Sequence, residues 1–496
     1  MIYRKKNILL VDRKGSLGSA HLSSMLVKQL CISSNCEITV LTDAHKDDQI
    51  LEVYKKHNFK DFVTCFNYSI GFIFENLLLF IKSFYLLTKN LIILIIRDFE
   101  WFKFNFQVQG IKIGDLFHDT NNRYNLRFLE KKIDIHIINI LFKTIFRTLK
   151  ILKIIKEKNI DIIVSHHAGY AYNGSLSVRI GMKLGIKVME SKASNYVLWN
   201  EKKNANGFHN LIYSGINKDE LKAYSKNLKE IKLNSFIRKR YQGKTSSNYT
   251  GPENLIFGNH NKKKISRKQL LDYCKVDNKS IDKIVLVAAH AFSDASHVLG
   301  SKFIFQDYYE HLNETLKFIK KECIENVLWV VRPHPSSKRY GELGIVENLV
   351  KKINYKFIKL CPNKTSTENL INICDNVITG RGTVGLEFAS FGKYSLNSGS
   401  SAYSGLGVSL DFNNKKKYFL ALKSIKDIPK LSKDETLLAR SILHYLEVDS
   451  ILWRDIMEYN KISKLFSKKN FLFHKSRLYK EINTKLYKRL IIDKII

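Results

Sequence analysis

The chain has 496 residues, of which 45% are hydrophobic and 12% aromatic, enough apolar material for two or three globular domains and too much for a disordered or fibrous chain. Its 82 Lys and Arg outnumber 46 Asp and Glu, leaving a net charge of +36 that favours polyanions such as phosphorylated substrates or an anionic membrane surface. Of the basic residues 65 are Lys and 17 Arg, spread along the chain outside any recognised binding module, so a nucleic-acid partner is not expected.

The N-terminus, MIYRKKNILLVD, is basic and then apolar. Its apolar part is short and runs into Asp12, Arg13 and Lys14, so it reads as a first β-strand and not as a signal sequence. A glycine-bearing turn with Gly15 and Gly18 follows, then a helix carrying His21, then a strand at Glu37–Asp43. The seven cysteines are irregularly spaced without a CxxC pair, which fits buried thiols in a reducing cytoplasm. From Tyr68 to Lys158 the pattern is helical. Inside it, Glu75, Lys82 and Lys89 recur every seven residues in an otherwise apolar run. That spacing breaks up an uncharged membrane span and puts the charges on one helix face; the helix either packs in a core or lies on a membrane. The stretch IGDLFHDTNNR offers Asp115, Asp119 and Arg123. DIIVSHH then forms a strand, SHHAGYAYNG offers His166, His167 and Tyr170, and IKVMES closes the first half.

A polar, lysine-rich segment at 241–280 has the composition of a linker. A second series of apolar strands follows: KIVLVAAH, VLWVVRPHP, YKFIKL and NVITGRGTVGLEF, alternating with helices. Strands that alternate with helices predict an α/β fold with parallel sheets, here two Rossmann-like domains at 1–240 and 281–425, closed by C-terminal helices and a basic tail at 426–496. The tail carries eleven Lys and Arg from Lys461 onward against Glu481 and Asp493, a basic amphipathic pattern suited to an anionic inner leaflet.

Ligands of open parallel sheets bind beyond the carboxyl ends of the strands, so the residues just after each strand are the candidates. Three loops stand out in the second half. Gly380, Gly382 and Gly385 punctuate a strand-to-helix turn with Arg381, Thr383 and Glu387, a site for phosphate with an acid in reach of a ribose. Pro333 and Pro335 stiffen a turn holding Arg332, His334 and Ser336. The loop AAHAFSDASH carries His290, Asp294 and His297, with no obvious fourth ligand for a metal. In the first half, His21, Asp119 and Asp12 are candidates for proton transfer and His166 and Tyr170 for acceptor binding.

The segments RPHPSS and ITGRGTVGLEFASFGK, with AHAFSDA upstream, resemble the bacterial capsule and surface polysaccharide glycosyltransferases, a group that includes the Kdo transferases of capsule assembly. The resemblance covers most of Lys283–Gly407 and reaches patchily into the first half. It implies a GT-B fold with an interdomain cleft and a nucleotide-sugar donor held by the C-terminal domain, with His334-Pro335 matching the HP pair of CMP-sugar transferases and Thr383 the hydroxyl-bearing loop. Gly-Arg-Gly-Thr stands where related proteins often carry a Ser/Thr pair. The implied partners are a nucleotide-sugar donor, a glycan or lipid-linked glycan acceptor and the inner face of the cytoplasmic membrane. Neither a cofactor nor a metal is expected. Two other readings of the same residues remain: a CDP-polyol phosphotransferase of teichoic-acid-like polymers, and a non-catalytic polysaccharide-binding or export scaffold protein.

Overall fold

The computed structural model describes residues 5–12, 17–32, 35–43, 49–125, 133–166, 169–191, 196–199, 218–241, 264–297, 303–449 and 484. Gly15, His167, residues 242–263 of the expected linker and the basic tail lie outside these. The chain divides into two units: Met1–Leu211 with His297–Gly300 and Ser450–Ile496, and Ile212–Ser296 with Ser301–Asp449.

The first unit is built on β1 (Lys6–Val11), β2 (Cys36–Thr42), β3 (Asp61–Thr64), β6 (Ile162–Ser165), β7 (Lys187–Ser191) and β8 (Tyr196–Trp199), in the order β3-β2-β1-β6-β7-β8. All neighbours are parallel except β8, which runs antiparallel to β7. Ile8, Leu9, Leu10 and Val11 are fully buried, as expected of a central parallel strand covered on both faces. Helices α1 (Leu17–Leu30), α2 (Gln49–Lys56) and α8 (Asn173–Lys183) supply the crossovers. Gly181 of α8 lies so close to the sheet that a Cβ there would stand 2.5 Å from Val188 and 2.7 Å from Ile163.

Between β3 and β6 runs the helical stretch expected from the pattern: α3 (Ile70–Glu75), α4 (Leu77–Ile96), α5 (Phe99–Asn105), α6 (Gly114–Asn125) and α7 (Ile135–Glu157). A small hairpin of β4 (Gln107–Val108) and β5 (Ile111–Lys112) interrupts it. Asn76 ends α3 and its side chain is held by Lys150 Nζ at 2.6 Å, so the seven-residue charge pattern spans two helices and not one. Phe80 and Phe84 of α4 pack on Phe142 and Phe146 of α7, with ring centroids 4.5–6 Å apart.

The second unit carries β9 (Lys283–Ala288), β10 (Val327–Arg332), β11 (Ile358–Leu360), β12 (Asn376–Thr379), β13 (Ser395–Asn397) and β14 (Leu410–Asp411), all parallel, in the order β11-β10-β9-β12-β13-β14. Ranked by position in the chain, both sheets thus read 3-2-1-4-5-6, the Rossmann order. The layers are α9 (Lys218–Asn227), α10 (Glu230–Tyr241), α11 (Arg267–Cys274), α12 (Tyr308–Lys321), α13 (Ile345–Ile353), α14 (Thr367–Ile373), α15 (Val384–Ala389), α16 (Lys415–Lys423) and α17 (Lys433–His444).

The boundary falls at 211/212 rather than at 240, because α9 and α10 pack on α17 within the second unit. Buried Arg240 ties them there: it donates to Glu387 at 3.0 Å and pairs with Glu447 at 3.3 Å. Burial opposes the guanidinium's charge, but the two carboxylates hold it protonated. Residues 264–280, expected as linker, are also folded: Ser266 and Gln269 form a capping box on α11, and Asn369 fixes Ile265 through both its backbone groups.

Candidate functional site

In the second sheet the strand order reverses between β9 and β12, the position beyond whose carboxyl ends open parallel sheets bind their ligands. Three adjacent strands, β10, β9 and β12, deliver there the three loops singled out in the sequence. The rings of His290 and Tyr308 stack at 3.9 Å and 10°, and His290 lies against His334 at 5.6 Å and 19°. Burial pushes the His334 imidazole down to about 4, with His290 and Arg332 adding to the shift and Asp294 opposing it. Burial also lowers His290, where Arg381 adds to the effect. Both rings are therefore neutral at pH 7. His334 Nδ1 accepts the Ser336 N–H at 3.2 Å, which places the ring proton on Nε2.

The β12 loop is drawn tight against this stack. A Cβ on Gly380 would stand 2.9 Å from Tyr308 and 3.3 Å from Phe303. The Gly382 N–H donates to Thr379 Oγ1 at 3.1 Å, and the Tyr403 hydroxyl donates to the Gly382 carbonyl at 2.7 Å. Thr383 is exposed and its hydroxyl caps no amide of α15. Arg381 is half-buried, its Nη1 reaching the Ser296 carbonyl at 3.4 Å. The helix after the loop has only six residues, so charge and hydrogen-bond donors, more than a long helix dipole, define this rim.

Two expected donor residues sit elsewhere. Glu387 is buried on α15 and bound to Arg240, so its carboxylate holds α10 in place instead of waiting for a ribose. Arg332 turns its guanidinium to Thr367 Oγ1 at 3.0 Å and the Thr365 carbonyl at 3.3 Å, bracing the loop after β11.

In the first unit the strand-end residues are closed on one another. Asp12 accepts from Tyr54 at 2.7 Å and from Thr42 at 3.1 Å, and burial together with Asp12 raises the Tyr54 phenol well above its usual range. His21 Nδ1 meets His57 Nε2 at 3.1 Å, and His166 meets Ser23 of α1. Tyr170, at φ 65°, has Arg123 over its ring at 5.8 Å, and Asp115 pairs with Arg179. Asp119 is fully buried: Oδ1 bonds His118 Nδ1 at 3.2 Å and Oδ2 accepts the His297 N–H at 2.9 Å. A carboxylate so enclosed positions an imidazole and is not itself open to an acceptor. His118, at the edge of this pair, went unnoticed in the sequence because nothing marks it beside Asp119.

His297 belongs to this group and not to the loop of His290 and Asp294. One donor atom each from His118, Asp119 and His297 lies within 4.8 Å of the others, close enough for a metal. Buried Lys103, whose Nζ stands 3.4 Å from His297 Nε2, already engages one of that ring's two nitrogens. The donor set suits a hydrogen-bonded carboxylate–imidazole network better than a cation.

No protein-family profile and no curated protein matches the chain. Solved structures do. The S. aureus MnaA–UDP complex is 12% identical with a TM-score of 0.28, covering 88% of this chain and 91% of that one. The β-Kdo 2,4 transferase of Thermosulfurimonas dismutans KpsC is 13% identical with a TM-score of 0.33, covering 59% and 85%. A glycosyltransferase from Rickettsia africae is 12% identical with a TM-score of 0.29, covering 93% and 100%. At these scores the likenesses are distant. The α/β architecture with two Rossmann-like units rests on the two sheets themselves.

Proposed function

We propose that the chain is a glycosyltransferase that moves a sugar from a nucleotide-activated donor, CMP-linked by preference, onto a surface polysaccharide or its lipid-linked primer. The observation that carries this reading is the meeting, at the second sheet's point of strand-order reversal, of the neutral His334–His290–Tyr308 stack with the glycine-lined Arg381–Thr383 loop. A donor phosphate needs hydrogen-bond donors and positive charge that grow in value as the leaving group gains charge. In this reading His334 Nε2–H and the Thr383 hydroxyl donate to phosphate oxygens and Arg381 supplies the charge. The flat His290–Tyr308 pair offers a face for a base or sugar ring.

The acceptor side is assigned to the first unit. In this reading an acceptor hydroxyl oxygen bonds the sugar's anomeric carbon as the nucleotide phosphate departs with the electron pair, and His118, oriented by Asp119, is the first unit's candidate to take a hydroxyl proton. Asp12 and His21 then serve the packing of the first unit, on Tyr54, Thr42 and His57.

Purified His334→Ala is expected to keep its thermal transition and lose about a hundredfold or more in transfer from CMP-linked donors. Retained turnover would remove His334 from the donor site. Turnover only with CDP-linked polyol donors would redirect the reading to phosphotransfer, and failure of every donor to shift the transition would point to a binding protein.

A further inference from the structure

Helix α4 is apolar on both faces. The face it packs on α7 includes Ser83 and Asn90, both buried, whose side chains return to their own helix: Ser83 Oγ donates to the Leu79 carbonyl at 2.6 Å and Asn90 Nδ2 to the Leu86 carbonyl at 2.7 Å. The face turned away carries Leu78 (82% exposed), Ile81, Tyr85, Ile92, Ile95 and Ile96. These positions recur at helical spacing and form one stripe, which Phe74 of α3 extends. Soluble monomers rarely leave so large a contiguous apolar surface to water.

Charge indicates what covers the stripe. The exposed charges of α3 and α4 are Lys82 and Lys89 against Glu75. The helix that α4 packs on, α7, carries Lys143, Arg147, Lys150, Lys153 and Lys156 against Glu157 alone. An apolar strip bordered by cations matches the boundary between acyl chains and anionic headgroups. A second copy of a chain with net charge +36 would bring like charge to like charge.

By length and composition alone α4 can cross a membrane. Its inner face, however, is held by Phe142 and Phe146 of α7 and by the Lys150–Asn76 bond at its start, and spanning would pull these apart. Beside the stripe lies a groove of about 480 Å³ between α4 and α7, lined mainly by Tyr68, Phe84, Leu87, Ile135, Ile138 and Phe142 with His136 and Asn139. We propose that α3 and α4 dock the protein flat on an anionic lipid bilayer, with the α4 stripe inserted among the acyl chains. This inference stands apart from the transfer reaction.

Flotation of the full chain with phosphatidylcholine vesicles, with and without phosphatidylglycerol, tests it without any nucleotide present. The parent is expected to float with the anionic vesicles and to stay bound through a high-salt wash. The triple variant Leu78→Glu, Ile81→Glu, Ile92→Glu, with an unchanged thermal transition, should bind about tenfold less. Equal binding by the variant overturns the proposal, as does complete release of the parent by salt. So does a parent oligomer that the variant dissolves while vesicle binding persists, which would assign the stripe to a second copy. Resistance of the parent to alkaline carbonate extraction would assign α4 to a span.

Discussion

The two sheets share one strand order and differ in what fills their carboxyl ends. In the first, polar groups close on each other: Asp12 on Tyr54 and Thr42, His21 on His57, His166 on Ser23. In the second, the equivalent edge holds a neutral aromatic–imidazole stack, a glycine-tightened loop and an exposed Thr383 hydroxyl. Topology supplies a crevice to both units, and side chains decide which one keeps donors to offer a ligand.

The largest test of this contrast is Glu387→Ala. The carboxylate stands within the second unit but, by its pairing with Arg240, belongs to the packing beneath the crevice. Its removal strands a buried guanidinium between fewer counter-charges, at a cost of about 3–5 kcal/mol, read as a lower denaturation midpoint. Nucleotide affinity of the folded fraction should hold within about twofold. Lost affinity at unchanged stability would return Glu387 to the donor and blur the boundary between site and scaffold.

How much of this could be read from the sequence depends on the range of the interaction. Ile8–Val11, Ile284–Val287 and Val327–Val331 announce buried parallel strands because both faces of a central strand are apolar, and the loops at 290, 334 and 380–383 follow from strand ends. The Arg240–Glu387 pair joins residues 147 apart, and no local signal links a basic residue near an expected boundary to an acid on a distant helix. Glu387 therefore looked like a ligand and residue 240 like a domain end. Arg332 misleads in the same way, since its partners Thr365 and Thr367 come from another loop. For α4 the composition was plain but its orientation was not, because Ser83 and Asn90 satisfy themselves along their own helix and so tolerate burial.

Acid should loosen the second unit. Burial drives His311 down to about 3 and His334 to about 4, with His290 also lowered, all in the second unit. A histidine unfolds to a pKa of about 6.5. These groups thus contribute stability fully above that value and lose it as pH falls toward their folded values, because the unfolded chain takes up the protons first. Hydrogen exchange in β9 and β10 should accelerate from pH 7 to 5. His311→Leu, which also gives up the 3.1 Å bond to Tyr418, should be less stable at pH 7 yet flatter in its pH response. An unchanged exchange rate in β9 and β10 would place the acid sensitivity elsewhere.

The smallest effect is expected at Asp12→Asn, and it probes the contrast from the other side. The amide oxygen still accepts from Tyr54, while the Nδ2 that replaces the second oxygen cannot accept from Thr42, so about one hydrogen bond is lost, near 1 kcal/mol. Removing the charge also relieves part of what raises the Tyr54 phenol, which should titrate at lower pH in the variant. Transfer should stay within about threefold of the parent, since a carboxylate engaged by two hydroxyls ties the ends of β1 and β2 to α2 without meeting the acceptor. A hundredfold loss of transfer at unchanged stability would mean that the first crevice opens its polar groups to substrate, and the two sheet edges would then be alike in chemistry as well as in order.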